Sequence, residues 1–232
     1  IEIASEGALL KLIEERKKRL QRKGYFDEQN KIALPFLPQR LGIITSPAGS
    51  VVYDIINRVN DRFPMPLDIW PVSVQGVDAA DSIINAIEGF NKIKYDKPDI
   101  IIIARGGGST EDLMVFNDEE LAKSVFESKI PIISAIGHET DTTIIDFVSD
   151  LRASTPTAAA ELVVPVRSEL VSTIEVLTQR LNYSIENHLR QNLTNIQKLI
   201  SYLKTPAEII DSFKNRLAFL STSFSRIIKN NF

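Results

Sequence analysis

The amino-acid sequence predicts a doubly wound α/β domain with a mostly parallel sheet of about four or more strands, followed by long coiled-coil-like helices. Two observations predict this class. Short apolar, β-branched runs alternate with helical patterns in the middle of the chain, and apolar residues recur three or four apart after Pro165. Strands that are apolar on both faces need helices on both sides of the sheet. At 232 residues and 44% apolar content, the chain can build such a core.

The first element is predicted to be an amphipathic helix over residues 5–23. Its apolar positions follow helical spacing: Leu9, Leu10, Ile13 and Leu20. Gly24 is well placed to end the helix. Two prolines in 34–38 exclude a helix there and weaken strand pairing. Residues 1–38 are therefore interpreted as a helix and a Pro-rich connector.

Residues 39–165 are predicted to form the α/β domain. The candidate strands are 41–45, 67–74, 99–104 and 130–136. The candidate helices between and after them are 50–62, 79–93, 117–128 and 141–151. Pro71 cannot donate to a ladder, so the second strand is predicted to lie at an edge of the sheet or to be bulged.

Residues 166–232 are predicted to form a helical extension. The apolar stripe comprises Leu170, Ile174, Leu177, Leu181, Ile185, Leu189, Leu193, Ile196, Ile200 and Leu203. Its narrow, coiled-coil-like spacing is unlike that of a helix buried in a globular core. Pro206 breaks the pattern, which then restarts. The stripe indicates either a helical hairpin or an arm that binds another chain.

Composition excludes several classes of function. The absence of cysteine rules out disulfides, thiolate metal sites and a cysteine nucleophile. No apolar run reaches the roughly 18 residues of a membrane span, and no secretory signal opens the chain, so a cytoplasmic protein with no membrane partner is expected. The net charge of -3 argues weakly against a general nucleic-acid binder. The basic cluster at 11–23 is either the solvated face of its helix or a phosphate-contacting surface.

Three polar loops follow the first, third and fourth strands: "TSPAGS", "RGGGST" and "GHETDT". Such loops gather at the carboxyl edge of a parallel sheet, where ligands bind. Glycines expose backbone N–H groups, and helix N-termini downstream add positive charge, so the rim is predicted to bind phosphate. The candidate phosphate-binding residues are Thr45, Ser46, Gly49, Gly106, Gly107, Gly108 and Ser109.

Three side chains in or beside these loops suit proton transfer or charge stabilisation. Arg105, directly after a buried strand, is interpreted as a fork for phosphate, and the alternative is a structural ion pair. His138 can exchange a proton near neutral pH. Asp141 is expected to cap the helix 141–151 and to orient His138. Asp54, in the helix behind the first loop, could simply face solvent.

A divalent metal is a further possibility that the residues leave open. His138 and two carboxylates, supported by Glu139 or Asp146, would suit one, but no spacing matches a dedicated metal motif. Phosphoryl chemistry with and without metal is not separable on the residues alone.

The runs "LGIITSPAGSVVYDI", "IIIIARGGGSTEDLMVFNDEELA" and "GHETDTTIIDFVSDLRASTPTAAAELVVP" closely resemble the large subunit of bacterial exodeoxyribonuclease VII. The resemblance implies an enzyme that cuts single-stranded DNA from either end into oligonucleotides without a divalent metal. It assigns catalysis to Asp54, Arg105, His138 and Asp141. It also implies that a small helical subunit binds the C-terminal helices.

The sequence departs from the family in small ways: Ser50 stands where alanine is usual, and Ser154 where proline is common. The family also carries an OB-fold that grips single strands. No segment here matches it, so the chain is expected to be a fragment containing the catalytic and helical parts. Two other classes stay open, a phosphate- or nucleotide-binding module without turnover and a purely structural coiled-coil protein.

Overall fold

The computed structural model describes residues 2–107, 112–137, 141–203 and 205–231. Its strands are β1 (Leu41–Thr45), β2 (Leu67–Pro71), β3 (Ile100–Arg105), β4 (Ile132–Ile136) and β5 (Leu151–Arg152). Its α-helices are α1 (Glu2–Arg22), α2 (Ser50–Arg62), α3 (Ala79–Lys92), α4 (Glu119–Phe126), α5 (Ile144–Val148), α6 (Pro156–Val163), α7 (Arg167–Tyr202) and α8 (Pro206–Asn231). Two 3₁₀-helices cover Glu28–Asn30 and Asp112–Asn117.

The five strands form one sheet in the order β2-β1-β3-β4-β5, and every neighbouring pair is parallel. The predicted α/β class with long helices after it is confirmed. Pro71 ends β2 at an edge of the sheet, as its missing N–H predicts.

Each face of the sheet has its own hydrophobic core, as the continuous apolar runs of the central strands require. On one face, residues of β3 and β4 pack with α1, α3, α4 and α5. On the other face, α2 and α6 cover β1, β3 and β4. β1, β3 and β4 are buried along their whole lengths, which fits their Ile-rich sequences.

The region after β4 differs from its prediction. A single helix over 141–151 was expected, but α5 covers only Ile144–Val148, and Leu151–Arg152 pair with β4. Asp141 does not cap this helix. Thr143 does, because the side chain of Asp146, three residues on, accepts the Thr143 backbone N–H. The sequence analysis also missed α6, which the side chain of Thr155 caps and Pro156 begins.

Two smaller boundaries also differ. The helix predicted over 117–128 is α4, which is shorter and begins at Glu119, because the Asp118 side chain accepts the N–H groups of Glu120 and Leu121. The 3₁₀-helix Asp112–Asn117 precedes it. The strand predicted over 67–74 ends at Pro71.

Helix α1 packs against the α/β sheet region and ends at Gly24, which has a φ of 78° as predicted for a C-terminal glycine. Part of its basic cluster is used in this packing. Arg16 donates to the Asn117 carbonyl at 2.8 Å, and Arg19 and Lys23 pair with Glu119 at 3.3 and 3.6 Å. These three bases make tertiary contacts, which neither interpretation of the cluster included.

The chain divides into two compact units, Ile1–Val171 and Ser172–Phe232. The long helix predicted after Pro165 is confirmed as α7 (Arg167–Tyr202), and α8 begins at Pro206. No described residue of α7 is buried. The predicted stripe is open, with Leu181, Leu189 and Leu193 57–60% exposed. None of the described helices has the length and apolarity needed to cross a membrane.

Candidate active site

The strand order determines where a ligand can bind. After β1 the chain moves outward to β2, and after β3 it moves the other way to β4, so the connections reverse between β1 and β3. Loops that leave the carboxyl ends of strands at such a switch point open a crevice. The loops that follow β1 and β3 line a cleft of about 400 Å³ there.

Most of the predicted phosphate-binding residues meet in this cleft. It is lined by Thr45, Ser46, Ala48, Gly49, Ser50, Val51, Ser73, Val74, Gln75, Arg105, Gly106 and Gly107. Sequence analysis missed the contribution of 73–75, which follow β2. The sequence analysis had placed 73 and 74 inside the strand predicted over 67–74, whereas β2 ends at Pro71, and 73–75 form no glycine-rich motif.

The N-terminus of α2 opens onto the cleft without a capping side chain. Gly49 is its N-cap and provides no side-chain acceptor for the first N–H groups, and Ser50 and Val51 of the first turn line the cleft. Uncapped N–H groups and the helix dipole favour a phosphate oxygen there. The helices after the other two loops start differently: Asp118 caps α4, and Asp146 accepts the Thr143 N–H before α5. The contribution of a helix N-terminus to phosphate binding is therefore expected at the first loop, where α2 begins.

Arg105 makes the structural ion pair that the sequence left as the alternative, and it also lines the cleft where phosphate binding was predicted. It is 5% exposed at the end of β3, and its Nη2 lies 3.2 Å from Oδ2 of Asp112. Its Nη1 is buried, and no hydrogen-bond acceptor for it is found among the described residues. A buried donor without a partner costs about 1–3 kcal/mol. An anionic ligand in the cleft would remove that cost, while Asp112 holds the other side of the guanidinium.

Asp141 is held close to the carboxyl end of β4. Arg105 is in register with Ile136, which directly precedes Gly137. Gly137 has a φ of 65°, and a Cβ there would lie 2.9 Å from Cβ and Oδ2 of Asp141. The Asp141 side chain therefore folds over the Gly137 backbone, which only glycine permits. Asp141 does not line the 400 Å³ cleft.

Asp54 lies on an exposed part of α2, four residues after Ser50. It therefore points to the same side of the helix as Ser50, one turn away from the cleft. The part of the chain that the structure describes offers its side chain no hydrogen bond or ion pair. This placement fits either a solvent-facing residue or a group that meets substrate at the mouth of the cleft.

The remaining predicted site residues lie outside the described residues. They are His138, Gly108 and Ser109. Glu139, which the metal alternative would use, lies outside them as well.

Comparison with known proteins identifies a family whose members this chain resembles. The family model described as "Exonuclease VII, large subunit" matches residues 25–232. A protein named exodeoxyribonuclease 7 large subunit from Rhodospirillum centenum is 48% identical over 94% of this chain and 42% of its own length. Its namesake from Azorhizobium caulinodans is 43% identical over 100% of the chain and 44% of its own length.

A third relative of that name, from Anaplasma marginale, is 52% identical over 81% of this chain and 47% of its own length. The chain thus spans less than half the length of the curated relatives it matches. The match nevertheless includes β1 to β5, the segments that follow β1 and β3, and the long helices. The chain belongs to the family of exonuclease VII large subunits.

Proposed function

We propose that this chain carries the catalytic site of an exodeoxyribonuclease that hydrolyses phosphodiester bonds of single-stranded DNA and releases oligonucleotides. The observation that carries the proposal is the cleft at the switch point, where the buried Nη1 of Arg105 faces no acceptor among the described residues and the α2 N-terminus has no capping side chain. Both features suit a phosphate anion. Family membership and the names of the relatives support DNA as its source.

In the proposed reaction, a water oxygen attacks the phosphorus while one phosphorus–oxygen ester bond breaks. One fragment keeps the phosphate as a monoester and the other gains a hydroxyl group. His138 takes the proton from water or gives one to the leaving oxygen, and Asp141 holds its tautomer. Arg105 and the α2 N–H groups stabilise the charge that develops on the phosphoryl oxygens. Asp54 positions the water or shares the proton transfer.

We propose that the reaction needs no divalent metal, since the Arg105 guanidinium supplies positive charge at the phosphate. Cleavage that persists in chelator would support this part of the proposal. Loss of cleavage in chelator, with recovery on added magnesium, would contradict it while leaving the nuclease assignment intact.

The test of the function is cleavage of end-labelled single- and double-stranded oligonucleotides by the chain, alone and with a small subunit. We expect short products from the single strand. Arg105→Ala should lower the rate by about 10²–10³, the usual cost of losing one donor to a transition-state oxyanion. Arg105→Lys should recover only part of it, because lysine keeps the charge but loses the planar fork.

Arg40→Ala is the matched control. Arg40 is a half-buried arginine that also pairs with an aspartate, Asp68, at 2.9 Å, but it precedes β1 at the opposite edge of the sheet. Its loss should leave cleavage unchanged. Binding of a mononucleotide without cleavage of any strand would favour a binding module instead. Normal turnover by folded Arg105→Ala would refute the catalytic role of Arg105.

We also propose that a small helical subunit binds α7 and α8. The exposed apolar stripes support this: Phe213, Leu217 and Phe224 on α8 are 62–67% exposed, like the stripe of α7. Apolar surfaces of this extent generally mark interaction sites. A DNA substrate would place the assembled enzyme in the cytoplasm.

A further inference from the structure

Asp146 is a buried carboxylate to which the proposed mechanism gives no role. It is 5% exposed, and its burial would cost several kcal/mol without partners. Its Oδ1 accepts a hydrogen bond from Ser134 Oγ at 2.5 Å. Its Oδ2 accepts from the Thr143 backbone N–H at 2.7 Å and from Thr143 Oγ1 at 2.8 Å. One carboxylate therefore ties the middle of β4 to the start of α5, on either side of the segment that carries Asp141.

Arg152 extends this arrangement to Asp141 itself. Arg152 on β5 is the register partner of Ser134, so both side chains leave the same face of the sheet and reach Asp146. Arg152 Nε lies 4.0 Å from Asp146 Oδ2, a charge contact longer than a hydrogen bond. Arg152 Nη2 donates to the backbone carbonyl of Asp141 at 3.4 Å. The guanidinium thus joins the buried carboxylate to the main chain of Asp141.

Residues 141–143 need such support because no regular secondary structure includes them. They lie between β4 and α5 and belong to neither. A group that orients a proton-transfer partner must be held closely, since a displacement of about 1 Å can cost about 100-fold in rate. The tie of Thr143 to Asp146 and the contact of Arg152 with the Asp141 carbonyl restrict the segment at its end and at Asp141.

We infer that Asp146 is a positioning residue that, with Ser134, Thr143 and Arg152, sets where Asp141 stands at the carboxyl edge of the sheet. The inference rests on the proposed function, in which Asp141 acts. A purely structural role for Asp146, as a helix cap alone, predicts a loss of stability that is independent of Asp141. The two roles can be distinguished by whether the effect of replacing Asp146 on kcat depends on the presence of Asp141.

The first experiment is Asp146→Asn in the chain assembled with its small subunit, assayed on a labelled single-stranded oligonucleotide. The amide can still accept from Thr143 and donate to Ser134 Oγ, but the negative charge facing Arg152 is lost. We expect kcat to fall by up to about 100-fold with KM unchanged. An unchanged kcat would overturn the inference.

The second experiment combines Asp146→Asn with Asp141→Ala. If Asp146 acts through Asp141, the double variant should be no slower than Asp141→Ala alone. Multiplying losses would overturn the inference, because Asp146 would then act independently. Full activity of Asp141→Ala would overturn the catalytic assignment and the inference together, whereas an impaired Asp141→Ala beside a normal Asp146→Asn would overturn the inference alone.

If Asp146→Asn fails to fold, Arg152→Gln tests the same inference. Arg152 has a side chain that is 32% exposed, so its replacement disturbs the core less. It should lower kcat in the same direction and lose its effect in the Asp141→Ala background. An Arg152→Gln protein with a normal kcat would contradict the path from Asp146 to Asp141.

Asp150→Asn is the matched control. Asp150 is also a desolvated carboxylate, and its burial raises its pKa despite the hydrogen bonds from Ile132 and Ile32. It accepts these N–H groups at 2.7 and 2.6 Å, at the end of β4 away from Asp141. Its replacement should lower the melting temperature and leave kcat unchanged. An equal loss of kcat in Asp150→Asn would show that the effect is not specific to Asp146.

Discussion

Single residues of the site are constrained by contacts that their neighbours in sequence do not reveal. Gly137 is the clearest example. An alanine there would have to adopt a φ of 65° and would bring a Cβ within 2.9 Å of the Asp141 side chain. Gly137→Ala should therefore cost about 1–2 kcal/mol of stability for the backbone alone. It should also displace Asp141 and lower kcat. Urea unfolding and steady-state cleavage of single-stranded DNA measure the two effects separately.

Gly24→Ala is the control for this prediction. Gly24 has a similar φ of 78°, and a Cβ there would lie 3.0 Å from an aspartate oxygen, that of Asp27. It ends α1 and does not line the cleft. Its replacement should cost comparable stability and leave kcat unchanged. If Gly137→Ala keeps its kcat as well, Asp141 tolerates displacement and its proposed role weakens.

At the scale of secondary-structure elements, the contact between α3 and β2 is expected to reverse the usual effect of replacing a helical glycine with alanine. Alanine in a helix interior is normally more stable than glycine by roughly 0.5–1 kcal/mol. Gly89 of α3, however, lies against the indole of Trp70, and a Cβ would be 2.1 Å from its ring. Trp70 also packs edge-on against Phe90, with ring centroids 5.2 Å apart. Gly89→Ala should therefore destabilise the protein by about 1–3 kcal/mol, as overpacking does.

The matched test is the same substitution in a Trp70→Ala background. Without the indole, Gly89→Ala should return to the stabilising direction expected of a helix. Thermal unfolding of the four proteins gives the comparison. A stabilising Gly89→Ala in the wild type would mean that β2 and α3 can separate to make room.

At the scale of the whole molecule, α7 is expected to contribute to assembly and little to the stability of the α/β unit. Leu181, Leu189 and Leu193 are 57–60% exposed. Changing all three to glutamine should alter the unfolding free energy of the α/β unit by less than about 0.5 kcal/mol per site. It should abolish binding of the small subunit, measured by sedimentation or calorimetry. Trp70 is the one tryptophan of the chain, so its fluorescence reports on the α/β unit directly.

Leu121→Ala is expected to have the opposite effect, a loss of stability without a loss of small-subunit binding. Leu121 of α4 is 0% exposed, so its truncation should cost about 2–5 kcal/mol. It lies outside the proposed docking helices and should leave binding of the small subunit intact in the folded protein. Retained binding by the triple glutamine variant would mean that the partner uses another surface.

Local sequence patterns were enough to predict the α/β class, the first four strands and the long helices, and Pro71 limited β2 to an edge or a bulge. They were enough because hydrophobic periodicity, prolines and helix-ending glycines act over a few residues. The sequence also identified the loops after β1 and β3 that line the cleft, since glycines and hydroxyl groups after a strand are visible locally, but it missed 73–75. A two-residue strand such as β5 has no periodicity to recognise and exists only because Ile133 and Ser134 pair with it.

Which groups share an environment depends on the tertiary packing of the chain. The strand order that opens the cleft between β1 and β3, the pairing of Arg105 with Asp112, and the choice of Thr143 rather than Asp141 as helix cap all depend on it. The physical reason is that these outcomes are competitions among partners brought together by burial. Asp146 accepts a hydrogen bond from Ser134, twelve residues earlier, because β4 and α5 pack together. The hydrophobic periodicity of the sequence does not indicate that contact.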